Sequence, residues 1–204
     1  GDGMSLRFFA NGDKSLMEQC RQWIAGEEIQ DVVIMSPFHD PNGSFINGMI
    51  EQYNPKTFDL ILQKGFGFAP EIAKVPNDVN IIEWDDMRAA SSLRQKFFHA
   101  KCVFLQGEHN SYLICGSANS SIAAFGKVDK NGINHEACIG YKIPKQSFYD
   151  FVGIQRPSPI ERLQLTNYPT QSEEAKAIVS PVIWIKESVL DYRQLNVYVE
   201  SKHS

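Results

Sequence analysis

Apolar positions recur along this chain with two periods. Leu16, Cys20, Trp23 and Ile24 fall at helical spacing and Gly26 follows, which predicts an amphipathic helix over 15–24 with a stop behind it. Residues 31–36, DVVIMS, form a short, β-branched, almost wholly apolar run, the pattern of a strand buried on both faces. Pro37 ends it. Phe45, Ile46, Met49 and Ile50 then predict a helix over 43–53. A second buried strand is expected at 58–62, a short helix at 69–75 and a third strand at 79–84. Strands at 97–105 and 111–115 flank a polar loop at 106–110, which reads as a hairpin. A helix at 118–125, a strand at 136–142 and a helix at 146–151 complete the series.

This alternation predicts an α/β fold, a sheet flanked by helices. Beyond Val152 the texture changes. Pro157, Pro159 and Pro169 among polar residues read as a linker or extended wrap. Runs 179–185 and 195–199 alternate as strands do. They either add edges to the main sheet or begin a second, all-β module. The expected layout is a lobe over 1–154, a linker over 155–174 and extra strands over 175–204.

Composition narrows the class. The chain has 204 residues, 43% of them hydrophobic, enough for a packed core. No apolar run approaches the roughly 20 residues a membrane-spanning helix needs, and no basic-then-apolar leader opens the chain. The opening Gly1-Asp2-Gly3-Met4 is left outside the fold reading, and the chain reads as a fragment of a longer protein. A formal charge of -4 lacks the basic excess usual in nucleic-acid binders, so any polyanion must meet a local patch. Cys20, Cys102, Cys115 and Cys138 form no CxxC pair, and read as small apolar side chains in a reducing, cytoplasmic compartment.

Three short segments carry chemistry: His99-Ala100-Lys101, Gly116-Ser117-Ala118-Asn119 and Asn134-His135-Glu136. Placed two apart on a strand, His99 and Lys101 share one face. An imidazole beside an ammonium suits attack on a phosphodiester, the first as nucleophile or acid and the second as holder of the non-bridging oxygens. A Ser hydroxyl, an Asn amide and helix N–H groups at a strand-to-helix junction make an anion cradle. A carboxylate at Glu136 can fix a histidine tautomer.

In these segments the chain resembles the phospholipase D superfamily, whose signature is H-x-K, then Gly-Ser-x-Asn, then Asn-x-Glu. All three occur in order within residues 99–136. The strand ending in Ser36-Pro37-Phe38, and the helix after it, also look like that family's amino-terminal half. The resemblance covers roughly residues 10–150. It implies a phospholipase D-like mixed sheet in one lobe, and metal-independent phosphodiester cleavage through a phosphohistidine, with no cofactor. It assigns catalysis to His99, Lys101, Asn119 and Glu136, and substrate binding to Gly116, Ser117, Ser36 and His39. One H-x-K is half a site, so the other half must come from a homodimer or a second lobe. Nucleic acid is the favoured substrate, because no apolar surface segment points to membrane docking. Two departures stand out. Gln106 occupies the place of the family's Asp, and the stretch from Lys101 to Gly116 is longer than usual. A catalytically inactive phosphate- or nucleic-acid-binding module, and a phospholipase or phosphatidyltransferase, are the alternatives.

The bland readings sit beside these. His99 and Lys101 could be solvated residues at a strand end, Ser117 and Asn119 a turn and cap, and Glu136 a surface residue. His39 with Asp40, and likewise His109 and His135, fit loops. Residues 64–68 lack P-loop spacing. Arg94, Lys96 and Lys101 are either a phosphate-attracting stretch or a solvated edge.

Overall fold

The computed structural model describes the chain over residues 4–89, 99–162, 168–170, 183–191 and 194–201. Arg94 and Lys96 lie outside the described residues. The chain divides into two compact units, 1–171 and 172–204.

The first unit is built on a seven-stranded sheet. Its strands are β1 (Ser5–Ala10), β2 (Ile29–Met35), β3 (Thr57–Leu62), β4 (Val79–Glu83), β5 (Cys102–Gly107), β6 (Asn110–Gly116) and β7 (Ala137–Pro144). Their order is β1-β7-β6-β5-β2-β3-β4. β2, β3 and β4 run parallel, while β5, β6, β7 and β1 form an antiparallel meander beside β2. The sheet is therefore mixed, as expected. The β5–β6 turn is tight, with only Glu108 and His109 between the strands. Glu27 fastens it: its carboxylate accepts the His109 N–H at 2.5 Å, the Asn110 N–H at 3.2 Å and amide at 3.0 Å, and the Tyr112 hydroxyl at 3.2 Å.

Alternation along each strand divides the side chains between two cores. Val32, Ile34, Leu60, Ile81, Val103, Leu105 and Ile114 face one side. They pack there on α1 (Leu16–Ile24), α2 (Ser44–Tyr53) and the four-residue α4 (Ile122–Phe125). Phe45 and Phe125 join the last two helices, ring centroids 4.7 Å apart. Val33, Met35, Ile61, Ile82 and Phe104 face the other side, under α3 (Trp84–Ala89) and α5 (Phe148–Val152). That cover stops short of the β1 edge. Leu6 and Phe8 lie opposite Tyr141 and Ile139, and all four are exposed.

The proline-containing stretch after Val152 is in part a wrap. Arg156 makes a bidentate pair with the buried Asp59 at 2.7 and 2.8 Å, and Tyr149 and Asn80 donate to the same carboxylate at 2.7 and 2.9 Å. The Ile160 N–H extends the β4 edge by bonding Ile81 O at 2.9 Å. Arg162 donates to the carbonyls of Ile72, Val75, Pro76 and Val79. In the second unit, β8 (Ile183–Asp191) and β9 (Gln194–Ser201) pair as an antiparallel two-stranded sheet of their own.

Several boundaries differ from the pattern. β1 adds a strand that the apolar pattern does not predict, next to the start of the chain. β5 begins at Cys102, so His99 and Lys101 precede the strand instead of lying on it. The helix expected over 118–125 shrinks to Ile122–Phe125 because Ser121 takes the cap, its hydroxyl accepting from the Ala124 N–H. The helix expected at 69–75 is a 3-10 turn, Ile72–Lys74. Trp84 looks in the sequence like one more apolar strand residue, yet it opens α3.

Candidate functional site

β2 and β6 end, and β5 and β7 begin, at one edge of the sheet, the carboxyl edge of the parallel strands, where open α/β sheets place ligands. The three motif segments meet there. The Gly116 N–H donates to Lys101 O at 3.3 Å, and the Ser117 N–H to Ala137 O at 3.0 Å, so the segments are stitched side by side. Gly116 permits this closeness: a Cβ there would sit 2.2 Å from Ala137 O and 2.7 Å from Cys138 Cα.

His99 is exposed and Lys101 half-buried. The Lys101 Nζ lies 3.3 Å from His99 Nε2 and 3.5 Å from Nδ1, close against the imidazole. Burial lowers the Lys101 pKa from its ordinary value, and the Glu136 charge works against that. The Glu136 carboxylate accepts from the Ser117 hydroxyl and from the Asn134 amide at 3.1 Å. Among the described residues its hydrogen-bond partners are these two, and no imidazole is among them. In this structure Glu136 holds the Ser117 turn, and its charge acts on Lys101. The Ser117 hydroxyl also accepts the Ala137 N–H at 3.1 Å. Asn119 is half-buried, with its Oδ1 buried and, among the described residues, unpartnered.

Ser36 and His39 lie beneath the turn, 1% and 4% exposed. The Ser36 hydroxyl accepts the Ser120 N–H at 3.1 Å. His39 bridges to Ser120 through the backbone, and its Nε2 lies 2.9 Å from Ser36 O. Burial holds His39 down to about 4, hence neutral near pH 7, and among the described residues its Nδ1 has no partner. Both residues therefore contact the Gly116–Asn119 turn through Ser120.

Asp40 is the residue sequence reasoning passes over as a loop. One carboxylate oxygen accepts the Phe45 N–H at 3.1 Å and the Ile122 N–H at 2.9 Å, joining the starts of α2 and α4. Burial raises its pKa, and those two bonds oppose the rise. One helix-start N–H of the expected anion cradle, that of Ile122, is accordingly satisfied from within, by Asp40. An Asp shortly before an apolar helix was the available signal. Gln106 lies at the far end of β5 from Lys101, opposite Asp31 and Ser111.

Beside His99 and Lys101 opens a cleft of about 410 Å³, walled by Met35, Trp84, Cys102, Leu113, Cys115 and Phe151. Among the described residues no group of three or more His, Cys, Asp or Glu could hold a metal ion, and no helix is long and apolar enough to cross a membrane.

No protein-family model matches the chain, and no curated protein matches it. Among solved structures it is similar to yeast tyrosyl-DNA phosphodiesterase, at 12% identity over 67% of this chain, with a TM-score of 0.42. Two mutant forms of that enzyme match at 14% identity over the same share, with TM-scores of 0.40 and 0.41. The chain spans about a third of the length of these structures, 32% in each case.

Proposed function

We propose that this lobe contributes half of a metal-independent phosphodiesterase site of nuclease type. The observation that carries the reading is the meeting of His99, Lys101, Ser117 and Asn119 at one sheet edge, with the Lys101 ammonium 3.3 Å from a His99 ring nitrogen. A histidine attacks phosphorus, a P–N bond forms and a P–O bond breaks. The leaving oxygen takes a proton from a second histidine, which then activates the water that hydrolyses the phosphohistidine. Lys101 and Asn119 hold the non-bridging oxygens, and Glu136 fixes Ser117 and tunes Lys101. No cofactor enters this scheme.

The second histidine comes from a second copy or a further lobe. The exposed Leu6, Phe8, Ile139 and Tyr141, on the cleft side of the sheet, offer an apolar surface for it. A cytoplasmic setting and a nucleic-acid substrate belong to the same proposal. Sedimentation gives the first test, because a monomer holds half a site at most. In a dimer, cleavage of an oligonucleotide or an activated aryl phosphodiester should persist in chelator and disappear in His99→Ala. Equal rates in the two proteins would refute the reading.

A second reading is phosphate binding without turnover. Gln106 in place of the family Asp, and a Glu136 engaged by Ser117, favour it. Salt-sensitive DNA binding by a dimer that shows no His99-dependent cleavage would select it.

A further inference from the structure

β5 and β6 set two thiols opposite each other beside the motif. Cys102 and Cys115 are partners in the antiparallel register, one residue from Lys101 and Gly116. The Gly116 N–H bonds Lys101 O, so Lys101/Gly116 is a hydrogen-bonded pair, and by alternation Cys102/Cys115 is a non-hydrogen-bonded one. In such pairs the Cα atoms stand about 4.5 Å apart and the side chains converge. That is the short end of the range a disulfide accepts, which begins at about 4.4 Å. Both thiols are free, both are partly exposed, and both wall the cleft. Cys138 stands opposite Gly116 on β7, so it faces the other side of the sheet and is buried in the core that also holds Cys20. Within reach on their own face, Cys102 and Cys115 have each other.

We propose that Cys102 and Cys115 are a modification site, closing to a reversible cross-strand disulfide by exchange with a low-molecular-weight disulfide such as oxidised glutathione. Burial pushes Cys102 up to about 12 and raises Cys115 as well, so only the ionised fraction of either thiol reacts, and the exchange can begin at Cys115. Its thiolate attacks one sulfur of the small disulfide, a mixed disulfide forms and one small thiolate leaves. The Cys102 thiolate then attacks the Cys115 Sγ, closes the bridge and expels the second small thiolate. The two protons given up by the cysteines end on the released thiols, and two electrons pass from the protein to the small disulfide. The bridge reopens by the reverse exchange when the thiol pool turns reducing. While closed, it ties β5 to β6 one residue from Lys101 and Gly116, and replaces two thiols on the cleft wall.

The test is a mass measurement, so it stands whether or not the lobe cleaves phosphodiesters. The full chain, reduced, is equilibrated in glutathione buffers of rising oxidised fraction, quenched in acid and alkylated. Cleavage after Glu108 separates the two cysteines. The expected product is a Cys102–Cys115 linked peptide pair lacking two hydrogens, accumulating as the buffer turns oxidising and lost on return to reduced glutathione. Linkage through Cys138 or Cys20 in its place overturns the proposal. So does full alkylation of Cys102 and Cys115 in a buffer that oxidises them once urea has unfolded the chain.

Discussion

Gly116→Ala tests the site and its scaffold together. The new Cβ would lie 2.2 Å from Ala137 O and 2.7 Å from Cys138 Cα, both backbone atoms. Non-bonded heavy atoms rest near about 3.5 Å, so β6 must part from β7 by roughly 1 Å at this point. The Ser117–Ala137 bonds, 3.0 Å between backbones and 3.1 Å to the Ser117 hydroxyl, are the first to yield. At about 1 kcal/mol each, with about 1–3 kcal/mol for overpacking, the loss comes to about 3–5 kcal/mol. Native stabilities run to about 5–15 kcal/mol, so the variant should still fold, with a lower urea midpoint by tryptophan fluorescence. If the proposed chemistry holds, a displacement of Ser117 and Asn119 by about 1 Å should also cost about 100-fold in cleavage under folding conditions. Gly48→Ala is the control. Gly48 lies in the interior of α2, and a Cβ added there would meet nothing within 4 Å, so alanine should stabilise by up to about 1 kcal/mol. A Gly116→Ala midpoint within about 0.5 kcal/mol of wild type would refute the close-approach argument.

Other perturbations probe the supports. Arg156→Met leaves the buried Asp59 carboxylate with only Tyr149 and Asn80; because the Arg156 side chain is 37% exposed, the low end of the usual penalty applies, about 3 kcal/mol, and an unchanged denaturation midpoint would count against the anchor. Glu27→Ala removes four hydrogen bonds from the β5–β6 turn and should cost about 2 kcal/mol, read as faster amide exchange at His109 and Asn110. His39 supplies a pH signature. Its folded value of about 4 lies below the ordinary 6.5, so the unfolded chain binds a proton first as pH falls; the stability contribution is complete above about 6.5 and lost toward 4, at most about 3 kcal/mol, and His39→Gln should flatten the urea midpoint across that window.

The strands at 31–36, 58–62 and 79–84 were legible because they are buried on both faces, where sequence needs no neighbour to declare itself. β1 was not, since Leu6 and Phe8 are exposed while Phe9 is fully buried, a pattern that acquires meaning only beside β7. Pairing decided the motif as well. Two-residue spacing suggested that His99 and Lys101 share a strand face, whereas the strand starts at Cys102, and their proximity comes from side chains meeting just outside the ladder. The short α4 was hidden because Ser117, Ser120 and Ser121 all offer cap chemistry. Only the Ser36 bond to Ser120 and the Asp40 bond to Ile122 select Ser121 as the cap.

Those two bonds also explain the order of residues in the chain. The segment Ser36-Pro37-Phe38-His39-Asp40 lies far upstream of the Gly116–Asn119 turn, yet Ser36, His39 and Asp40 each grip it or the helix behind it, from a position fixed by the buried end of β2. Groups that meet a phosphate in the proposed chemistry are left at the surface: His99 is exposed, and Lys101 is only partly covered. Groups that must not move are buried and neutral or saturated, with His39 held unprotonated and Asp40 capping two helices. Substitution in the two classes should therefore separate in measurement. His99→Ala should leave the urea midpoint within about 0.5 kcal/mol of wild type, while Asp40→Ala should lower it by about 2 kcal/mol through two lost caps. If His99→Ala destabilised the lobe as much as Asp40→Ala, His99 would be part of the scaffold, and the assignment of the exposed pair to chemistry would fall.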